Sequence, residues 1–460
     1  MTHPLLLFNA GIVTMDAERR QYNNGALLIQ DGRILRVGKS ADLLAGFGEE
    51  AQRIDLRGRW ILPGLINTHV HTSQQLGRGL GDDVDLLTWL HKRIWPYESN
   101  LTEEDSYIST LLCGIEQIRS GVTCFAEPGG QFVDGMGRGV TELGLRGILA
   151  RSTMDGGEGL PQVWQESTDE ALAIQVDHFK RWHGQAGGRI RVWFGLRTIF
   201  NNSDELIQRT KALADQYGVG VHMHVAEVKA EVEFCQATRG ATTVAHLNRL
   251  GVLDKNFLAV HCVWMTDEEI QMFAEKEVKV SHNPAAAMRV LGFAKIPEML
   301  KAGVCVTIGT DGAPSNNRMT LIDEMYLTSL IHKGRLLDPT VMAAEEVLAM
   351  VTCDAAHALQ WEDQIGSLEA GKQADLVVIN PNTATMLPMH DPIANMITSM
   401  RSHNVESVMV NGRWLMRAGQ ILTINEAEVL EEARARAAAI ARRANIQLPD
   451  RFCVVDKRAA

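Results

Sequence analysis

The feature that most constrains the fold is a series of eight short apolar segments in the middle of the chain, separated by stretches of helical character. Nearly continuous apolar strands that alternate with helices are typical of a parallel β-sheet covered by helices. Eight such units close a barrel, so we predict an α/β fold, a (β/α)8 TIM barrel. The segments are LINTHVH, GVTCFAEP, RGILARST, RIRVWFGL, GVHMHVAE, LAVHCVW, VKVSHNP and VCVTIGTD.

Both ends of the chain carry short β-like runs instead, with Asp31-Gly32 and Asn411-Gly412 as hairpin turn signals. Because chain termini often lie close together, we predict that the two ends assemble into one small β-sandwich domain. The predicted units are residues 1–58 (first part of the sandwich), 59–370 (the barrel), 371–424 (second part of the sandwich) and 425–460 (a C-terminal helix and tail).

Composition excludes several classes of protein. With 45% hydrophobic and 22% charged residues and no long apolar run, the 460-residue chain is predicted to be globular, without a membrane partner. The net charge of −11 argues against nucleic acid as a partner. The opening PLLLF is too short for a signal peptide, which predicts a cytoplasmic protein. The seven cysteines lie singly, without a CxxC pair, and are predicted to be reduced.

Polar residues at the ends of three predicted strands suggest a metal site. His69 and His71 are two positions apart, so both side chains point to the same side of the first strand. Such a pair alone is equally typical of hydrogen-bonded core histidines. His224 on the fifth strand and Asp311 on the eighth add an imidazole and a carboxylate. These ligand types suit a catalytic divalent metal, Zn²⁺ above all, which lowers the pKa of a bound water to about 7.

Two further residues are candidates for proton transfer beside that metal. His261 ends the sixth predicted strand and could take a proton from water, and Glu227 could deliver a proton to a ring nitrogen. Asp311 could share this work through its second oxygen. The alternative for His261 and Glu227 is a hydrogen-bonded residue at the barrel rim, because geometry defines a general acid or base.

The sequence resembles the amidohydrolase superfamily, specifically the branch of methylthioadenosine and S-adenosylhomocysteine deaminases and atrazine chlorohydrolase-like triazine hydrolases. The resemblance runs from about residue 6 to about residue 445. It implies one zinc or ferrous ion on His69, His71, His224 and Asp311, with His261 and Glu227 as the acid/base pair. It is carried by the motifs PGLINTHVHT, HVAE, AVHC, SHNP and GTDGAPSNN.

One ion rather than two is expected. Binuclear relatives bridge their ions with a modified lysine or a glutamate at the end of the fourth strand, where this chain has Leu196 and Arg197. Zinc and ferrous iron accept the same nitrogen and oxygen ligands, so the sequence favours zinc without excluding iron.

Some candidate substrate-binding residues match the nucleoside-deaminating relatives. Glu98 matches a glutamate that binds ribose hydroxyls, and Arg151 matches a substrate-contacting arginine; a solvated acid and a rim salt bridge are the alternatives. Tryptophans after the first strand could stack on a planar ring or simply pack. The full candidate set is Gln74, Trp89, Trp95, Glu98, Arg151, Arg197, His282 and Ser315.

Three differences from the nucleoside-deaminating relatives argue against assigning their substrate to this chain. The relatives' histidine at the end of the fourth strand is Arg197 here, a polar loop residue is replaced within Ala285, Ala286 and Ala287, and a second substrate arginine is missing. The guanidinium of Arg197 would favour an oxygen-rich or anionic edge on the substrate.

Three hypotheses for the function follow. The first is a hydrolase acting on C–N bonds, a deaminase that releases ammonia from an adenosine thioether, aminopurine, pterin or aminotriazine. The second is an s-triazine hydrolase that displaces chloride or alkylamine with the same residues. The third is a non-catalytic barrel kept as a scaffold, which the intact ligand set disfavours. The helical tail and the resemblance also predict a homo-oligomer.

Overall fold

A computed structural model describes residues 3–47 and 50–448 of the chain. The predicted tail after residue 448, with Cys453, lies outside the described residues. Among those described, no helix combines the length and apolar character needed to cross a lipid bilayer. The other six cysteines are not paired with one another.

Strands form in every segment where the sequence predicts them. The fourth segment is divided at Trp193, between β9 and β10. The strands of the described chain are β1 (Leu5–Val13), β2 (Gln21–Gln30), β3 (Arg33–Lys39), β4 (Gln52–Asp55), β5 (Trp60–Pro63), β6 (Leu65–Asn67), β7 (Val122–Gly130), β8 (Arg146–Arg151), β9 (Ile190–Val192), β10 (Phe194–Leu196), β11 (Val221–Val225), β12 (Phe257–His261), β13 (Lys279–His282), β14 (Val306–Ile308), β15 (Leu376–Ile379), β16 (Val405–Val410), β17 (Arg413–Arg417) and β18 (Gln420–Ile421).

The strands form three sheets. A four-stranded parallel sheet has the order β6-β7-β8-β9, and a five-stranded parallel sheet has the order β10-β11-β12-β13-β14. A nine-stranded sheet runs β18-β17-β16-β15-β5-β1-β2-β3, with β4 beside β1. Because β15 pairs with β5, the two chain ends share this sheet, as the sequence predicts. The mixed α/β character is confirmed.

The two predicted hairpin turns form for a conformational reason. Asp31 and Gly32 have φ of 49° and 81°, and Asn411 and Gly412 have φ of 48° and 73°. Two consecutive positive φ values are the geometry of the tight turn that matches the twist of a hairpin. These dipeptides therefore set the registers of β2 with β3 and of β16 with β17.

Most helices lie between the parallel strands or follow the last of them, two lie between strands of the nine-stranded sheet, and one lies near the end of the described chain. They are α1 (Ser40–Phe47), α2 (Leu86–Trp89), α3 (Trp95–Ser99), α4 (Glu103–Arg119), α5 (Val133–Leu143), α6 (Thr168–Trp182), α7 (Gln185–Gly188), α8 (Asp204–Tyr217), α9 (Lys229–Arg239), α10 (Thr243–Arg249), α11 (Asp267–Glu275), α12 (Pro284–Ala286), α13 (Ile296–Lys301), α14 (Ala313–Asn316), α15 (Leu321–Leu336), α16 (Ala344–Met350), α17 (Cys353–Ala358), α18 (Pro392–Thr398) and α19 (Glu426–Arg443).

Local sequence explains where these helices begin and end. The side chain of Thr102 accepts a hydrogen bond from Asp105 N at 3.2 Å, and that of Asp105 accepts one from Thr102 N at 3.0 Å, so α4 starts with a capping box. Helix α19 is the predicted closing helix. Short π-helical turns at Leu90–Ile94 and Ala287–Leu291 interrupt the loops that follow β6 and β13.

A buried ion pair joins the amino ends of the parallel strands to the nine-stranded sheet. Arg146, the first residue of β8, donates to both carboxylate oxygens of Asp375 at 3.0 and 3.1 Å. The Arg146 guanidinium also lies over the Trp361 ring, 4.6 Å from its centroid. Both charged side chains are 1% exposed, so the pair fixes the position of the nine-stranded sheet beneath the parallel strands.

Candidate active site

The carboxyl ends of the parallel strands bring together three histidines and an aspartate. His69 and His71 follow β6, His224 lies near the end of β11, and Asp311 follows β14. All four residues are buried, with His69 0% and Asp311 5% exposed. Residues from three segments far apart in the sequence therefore share one small region.

The distances among their ligand atoms suit a single ion. Asp311 Oδ1 is 3.5 Å from His69 Nε2 and 3.6 Å from His71 Nε2, and His71 Nε2 is 3.4 Å from His224 Nε2. Two atoms that are each about 2.1 Å from one tetrahedral zinc ion are about 3.4 Å apart. The buried His69 Nε2 has no hydrogen-bond partner. Both observations fit a divalent metal held at this point.

The imidazoles are in the protonation state that a metal needs. Burial lowers the pKa of His69 to about 3 and lowers the pKa values of His71 and His224 well below their ordinary value. A neutral imidazole keeps a lone pair for the ion, whereas a protonated one does not. Burial also raises the pKa of the Asp311 carboxyl.

Glu227 and His261, the two candidate proton carriers, lie beside this cluster. His261 Nε2 is 3.7 Å from Glu227 Oε1. Burial, aided by the charge of Asp311, raises the pKa of Glu227 to about 8, and burial lowers the pKa of His261 to about 3. Near neutral pH, Glu227 therefore carries a proton and His261 is neutral. The ring nitrogens of His261, His69 and His224 also lie close enough together to bind an ion.

The backbone turns sharply where two of these side chains are presented. His261 has φ of 70° and Asp311 has φ of 62°, in the left-handed region that residues other than glycine rarely adopt. Such conformations persist only where the surrounding structure imposes them, and they cluster at functional sites.

Three residues that were not predicted from the sequence lie next to the histidines of the cluster. His222 Nε2 lies 3.1 Å from His69 Nδ1, and Glu127 Oε1 lies 3.9 Å from His71 Nδ1. The Asn283 amide lies 3.1 Å from His261 Nδ1; with its oxygen facing that atom, its nitrogen also donates to two backbone carbonyls. Hydrogen-bond partners such as His222 and Asn283 fix the orientation and tautomer of a metal-binding imidazole, whereas Glu127 lies too far from His71 Nδ1 for a hydrogen bond.

Each of the three could have been found from a weak signal. His222 has the same strand parity as His224, Glu127 ends the second predicted strand, and Asn283 belongs to the SHNP motif. Parity and position at a strand end do not distinguish a ligand from a residue that supports one.

Two adjoining cavities open over the cluster. The larger has a volume of about 590 Å³, counted to its open mouth, and the smaller has about 350 Å³. The cavities share Trp89, Glu227, Asp311 and Ser315. The larger one is also lined by His71, Leu90, Trp95, Arg197, Thr198, Phe200, Asn201, His224, Val228 and His261.

The predicted substrate-binding residues divide into two groups. Trp89, Trp95, Arg197 and Ser315 line the larger cavity, although Trp95 also packs in a small apolar cluster with Met154, Leu160 and Trp164. Behind them, Gln74 Nε2 donates to Glu98 Oε1 at 2.6 Å, and Arg197 Nη1 is 3.8 Å from the same oxygen.

Arg151 and His282 are engaged elsewhere. Arg151 donates to both oxygens of Glu166, at 2.8 and 2.5 Å, which is the rim salt bridge considered as its alternative. His282 lies against His332, with their Nε2 atoms 3.3 Å apart. Neither is among the residues that line the two cavities.

The comparison with known proteins agrees with this geometry. Residues 60–415 match the amidohydrolase family, which covers more than half of the chain. The chain belongs to the amidohydrolase family. The predicted membership is thereby confirmed, and so is the prediction of a hydrolase that acts on non-peptide C–N bonds.

Relatives of this amidohydrolase include both deaminases and triazine hydrolases. It is 39% identical over 413 residues, 90% of this chain and 94% of the relative, to the 5-methylthioadenosine/S-adenosylhomocysteine deaminase of Moorella thermoacetica. A zinc-bound adenosine deaminase structure from Xanthomonas campestris superposes with a TM-score of 0.89, at 28% identity, covering 95% of this chain and 98% of that one.

A zinc complex of atrazine chlorohydrolase from Arthrobacter aurescens TC1 superposes almost as well, with a TM-score of 0.86 at 26% identity, covering 95% of this chain and 99% of that one. The fold is thus shared by both groups of enzymes, and both of these structures contain zinc. Metal binding by this chain is supported by the family and by its own histidine and aspartate cluster.

Proposed function

We propose that this amidohydrolase is a metal-dependent deaminase that releases ammonia from an amino-substituted nitrogen heterocycle. One observation carries the proposal: His69, His71, His224 and Asp311 meet at the floor of a cavity that Glu227 and His261 also line. The sequence relatives at 36% and 39% identity are deaminases, which favours deamination over triazine hydrolysis.

The two parallel sheets are proposed to be the halves of a closed (β/α)8 barrel. Thr68 N donates to Ile308 O at 3.2 Å, and Thr310 N donates to His69 O at 3.0 Å, so the first and last strands hydrogen-bond to each other. β9 and β10 continue one strand across Trp193. We propose residues 59–370 as the segment that contains this barrel, with 1–58 and 371–424 as a β-sandwich that β5 (Trp60–Pro63) joins, and 425–460 as the C-terminal helix and tail.

The metal would be held by His69, His71, His224 and Asp311. We propose zinc, because two structures of similar fold contain it and because imidazole and carboxylate ligands suit it. When bound, such an ion lowers the pKa of a water molecule to about 7, so that hydroxide is available near neutral pH.

The protein's own residues would move the protons. In the overall reaction, a carbon–oxygen bond forms at the ring carbon and the bond from that carbon to the amino group breaks. One water proton goes to the adjacent ring nitrogen, and the other leaves with ammonia. Glu227 would protonate the ring nitrogen, while His261, held by Asn283, and Asp311 would accept protons from water.

An ammonia-release assay tests this proposal. The metal-loaded protein is offered aminopurines, pterins, adenosine thioethers and aminotriazines, beside the variant Glu227→Gln. We expect ammonia from at least one class, with kcat about 10²- to 10⁴-fold lower in the variant at unchanged metal content. Release of chloride from a chlorotriazine without deamination of its amino analogue would favour the triazine hydrolase instead. A protein that binds no metal and releases neither ammonia nor chloride would support the hypothesis of a non-catalytic scaffold.

A homo-oligomeric state and a cytoplasmic location remain predictions. Sedimentation that shows only a 50.8 kDa species would contradict the oligomer.

A further inference from the structure

We propose that Glu231 is a positioning residue for the proton transfer, because its carboxylate holds the short turn that presents Glu227 to the cavity. This inference rests on the proposed deaminase function and deepens it by naming a residue on which the proton donor depends. Glu231 is not among the residues that line the two cavities, so it would act on the reaction through Glu227.

Both oxygens of the Glu231 carboxylate are used by this turn. Oε1 accepts from Ala226 N at 2.8 Å, and Oε2 accepts from Glu227 N at 2.9 Å. Glu231 itself is 1% exposed. Hydrogen bonds from backbone amides to an ionised carboxylate are about twice as strong as those between neutral groups. The pair of bonds therefore fixes two consecutive peptide units, one on each side of the Ala226 Cα and the second at Glu227 itself.

The turn needs such support because its backbone is strained. Ala226 has φ of 50°, in the left-handed region that residues with a Cβ rarely adopt. A conformation of this kind persists only where the surrounding structure imposes it. The carboxylate of Glu231 imposes it from the side of α9.

The turn after β12 imposes it from the opposite side. The carbonyl oxygen of Ala226 accepts from Val263 N at 3.0 Å and from Trp264 N at 2.9 Å. These bonds join the turn that carries Glu227 to the turn that follows His261, and the two side chains are 3.7 Å apart, from Glu227 Oε1 to His261 Nε2. The position of Glu227 relative to His261 is thus set by the backbone that Glu231 holds.

The bonds of Glu231 are not those of an ordinary helix cap. Glu231 is the third residue of α9, and Val228 at the N-cap has no side chain that could accept a hydrogen bond. A glutamate at this position of a capping box accepts from the N-cap amide of its own helix. Glu269, the third residue of α11, does so from Thr266 N at 2.8 Å. Glu231 instead accepts from the two residues before the N-cap, which places its carboxylate under the turn.

A double-mutant cycle tests the proposal. Glu231→Gln keeps the size of the side chain but turns an amide donor towards one of the two backbone N–H groups. In the metal-loaded full chain we expect kcat to fall by about 10- to 100-fold with KM little changed, because a small displacement of a reacting group is enough for such a loss. The assay uses the fastest substrate among the adenosine thioethers, aminopurines, pterins and aminotriazines of the ammonia screen.

The second half of the cycle repeats the substitution in Glu227→Gln. There, Glu231→Gln should change kcat by less than about twofold, because the group that it positions has already lost its function. Glu231→Asp, which keeps the charge on a shorter side chain, should lose less activity than Glu231→Gln and should also have no further effect in Glu227→Gln. This variant carries the same test if Glu231→Gln does not fold.

The matched control is Glu269→Gln, which alters a buried glutamate at the same position of a neighbouring helix. Glu269 is 5% exposed, and its carboxylate also accepts from Thr242 Oγ1 at 2.5 Å. We expect this variant to lower the melting temperature while leaving kcat per folded molecule unchanged. Thermal melting and metal content are measured for every variant.

Hydrogen exchange of the peptide that spans residues 221–231 gives a measurement without turnover. Exchange should be faster in Glu231→Gln than in the unaltered chain and should not change in Glu269→Gln, because only Glu231 bonds to the amides of this turn.

The outcomes separate this inference from the function on which it rests. Unchanged kcat in folded Glu231→Gln, a rise in KM alone, or the same loss of kcat with and without the Glu227 side chain would overturn the positioning role and leave the deaminase intact. Absence of ammonia from every aminated ring would overturn the deaminase. Hydrogen exchange would then still decide whether Glu231 holds the turn, and equal exchange in the two chains would contradict it.

Discussion

The two ends of the parallel strands differ in how their buried arginines are paired. At the amino ends, Arg146 and Asp375 satisfy each other almost completely, and Asn411 and Trp361 complete the arrangement. At the carboxyl ends, His69 Nε2 is unpartnered and the guanidinium of Arg197 lacks an acceptor. Satisfied groups stabilise a fold, whereas unsatisfied ones are available to a ligand. We infer that the amino ends serve stability and the carboxyl ends serve chemistry, as is general in such barrels.

The same substitution at each end gives the strongest test of that contrast. Asp311→Asn replaces the carboxylate proposed as a metal ligand with a neutral amide of the same shape. We expect kcat/KM to fall by about 10³-fold or more, because the ion contributes several kcal/mol to the reaction. Metal content by elemental analysis should fall as well, while the melting temperature in excess chelator stays close to that of the unaltered chain. Full activity with full metal content would show that Asp311 is not a ligand.

Asp375→Asn is the counterpart at the amino ends. It leaves the buried Arg146 without its counter-charge, so we expect the free energy of unfolding to fall by about 3–5 kcal/mol. Denaturant unfolding in chelator measures this loss. The activity per folded, metal-loaded molecule should not change. A loss of kcat without a loss of stability would contradict the division between the two ends.

Glu127→Gln tests whether the residues next to the histidines contribute to metal binding at the carboxyl ends of the strands. The Glu127 carboxylate accepts from Thr72 N and Oγ at 2.6 and 2.5 Å and faces His71. We expect metal affinity to fall by about 10- to 100-fold, measured by competition with a chelator. Glu142→Gln, which alters a carboxylate bonded to Tyr107 on the outer surface, is the control. Equal affinities in both variants would remove Glu127 from the site.

The smallest expected effect, counted per pH unit, concerns the pH dependence of stability. Burial raises the pKa of Glu324, which accepts from Ala285 N and the Asn316 amide, to about 8. The folded chain then binds more protons than the unfolded chain between the ordinary glutamate pKa and that value. Stability relative to Glu324→Gln should therefore decrease as pH rises through this window, by at most about 1.4 kcal/mol per pH unit. Unfolding at several pH values measures the difference, and a constant difference would contradict the raised pKa.

Much of the site could be predicted because its residues lie at strand ends, and strands are visible in the sequence. Period-two spacing places His69 and His71 on one face, and the ends of the fifth and eighth segments supply His224 and Asp311. The same spacing also places His222 on the side of β11 that bears His224, so parity did not separate a proposed metal ligand from a residue that supports one. Only their positions along β11 distinguish the two histidines, and the packing of the sheet decides which position faces the other site residues.

Arg151 and Arg197 show that the sequence also fails to predict which charged side chain faces the cavity. Both follow apolar strands, and the sequence offers either one to a substrate. The loop after β8 brings Glu166 onto Arg151 and removes its charge from the cavity, whereas Arg197 keeps its donors free. No spacing rule relates residue 151 to residue 166 across an irregular loop.

The sequence by itself determined the alternation of strands and helices, the hairpin turns at both ends, and the residue types that can bind a divalent ion. These depend on periodicity and on local conformation, which neighbouring residues dictate. The tertiary structure decided which buried charges are paired and which face the cavity. That outcome depends on contacts between segments far apart in the chain, and only the packed fold sets those distances.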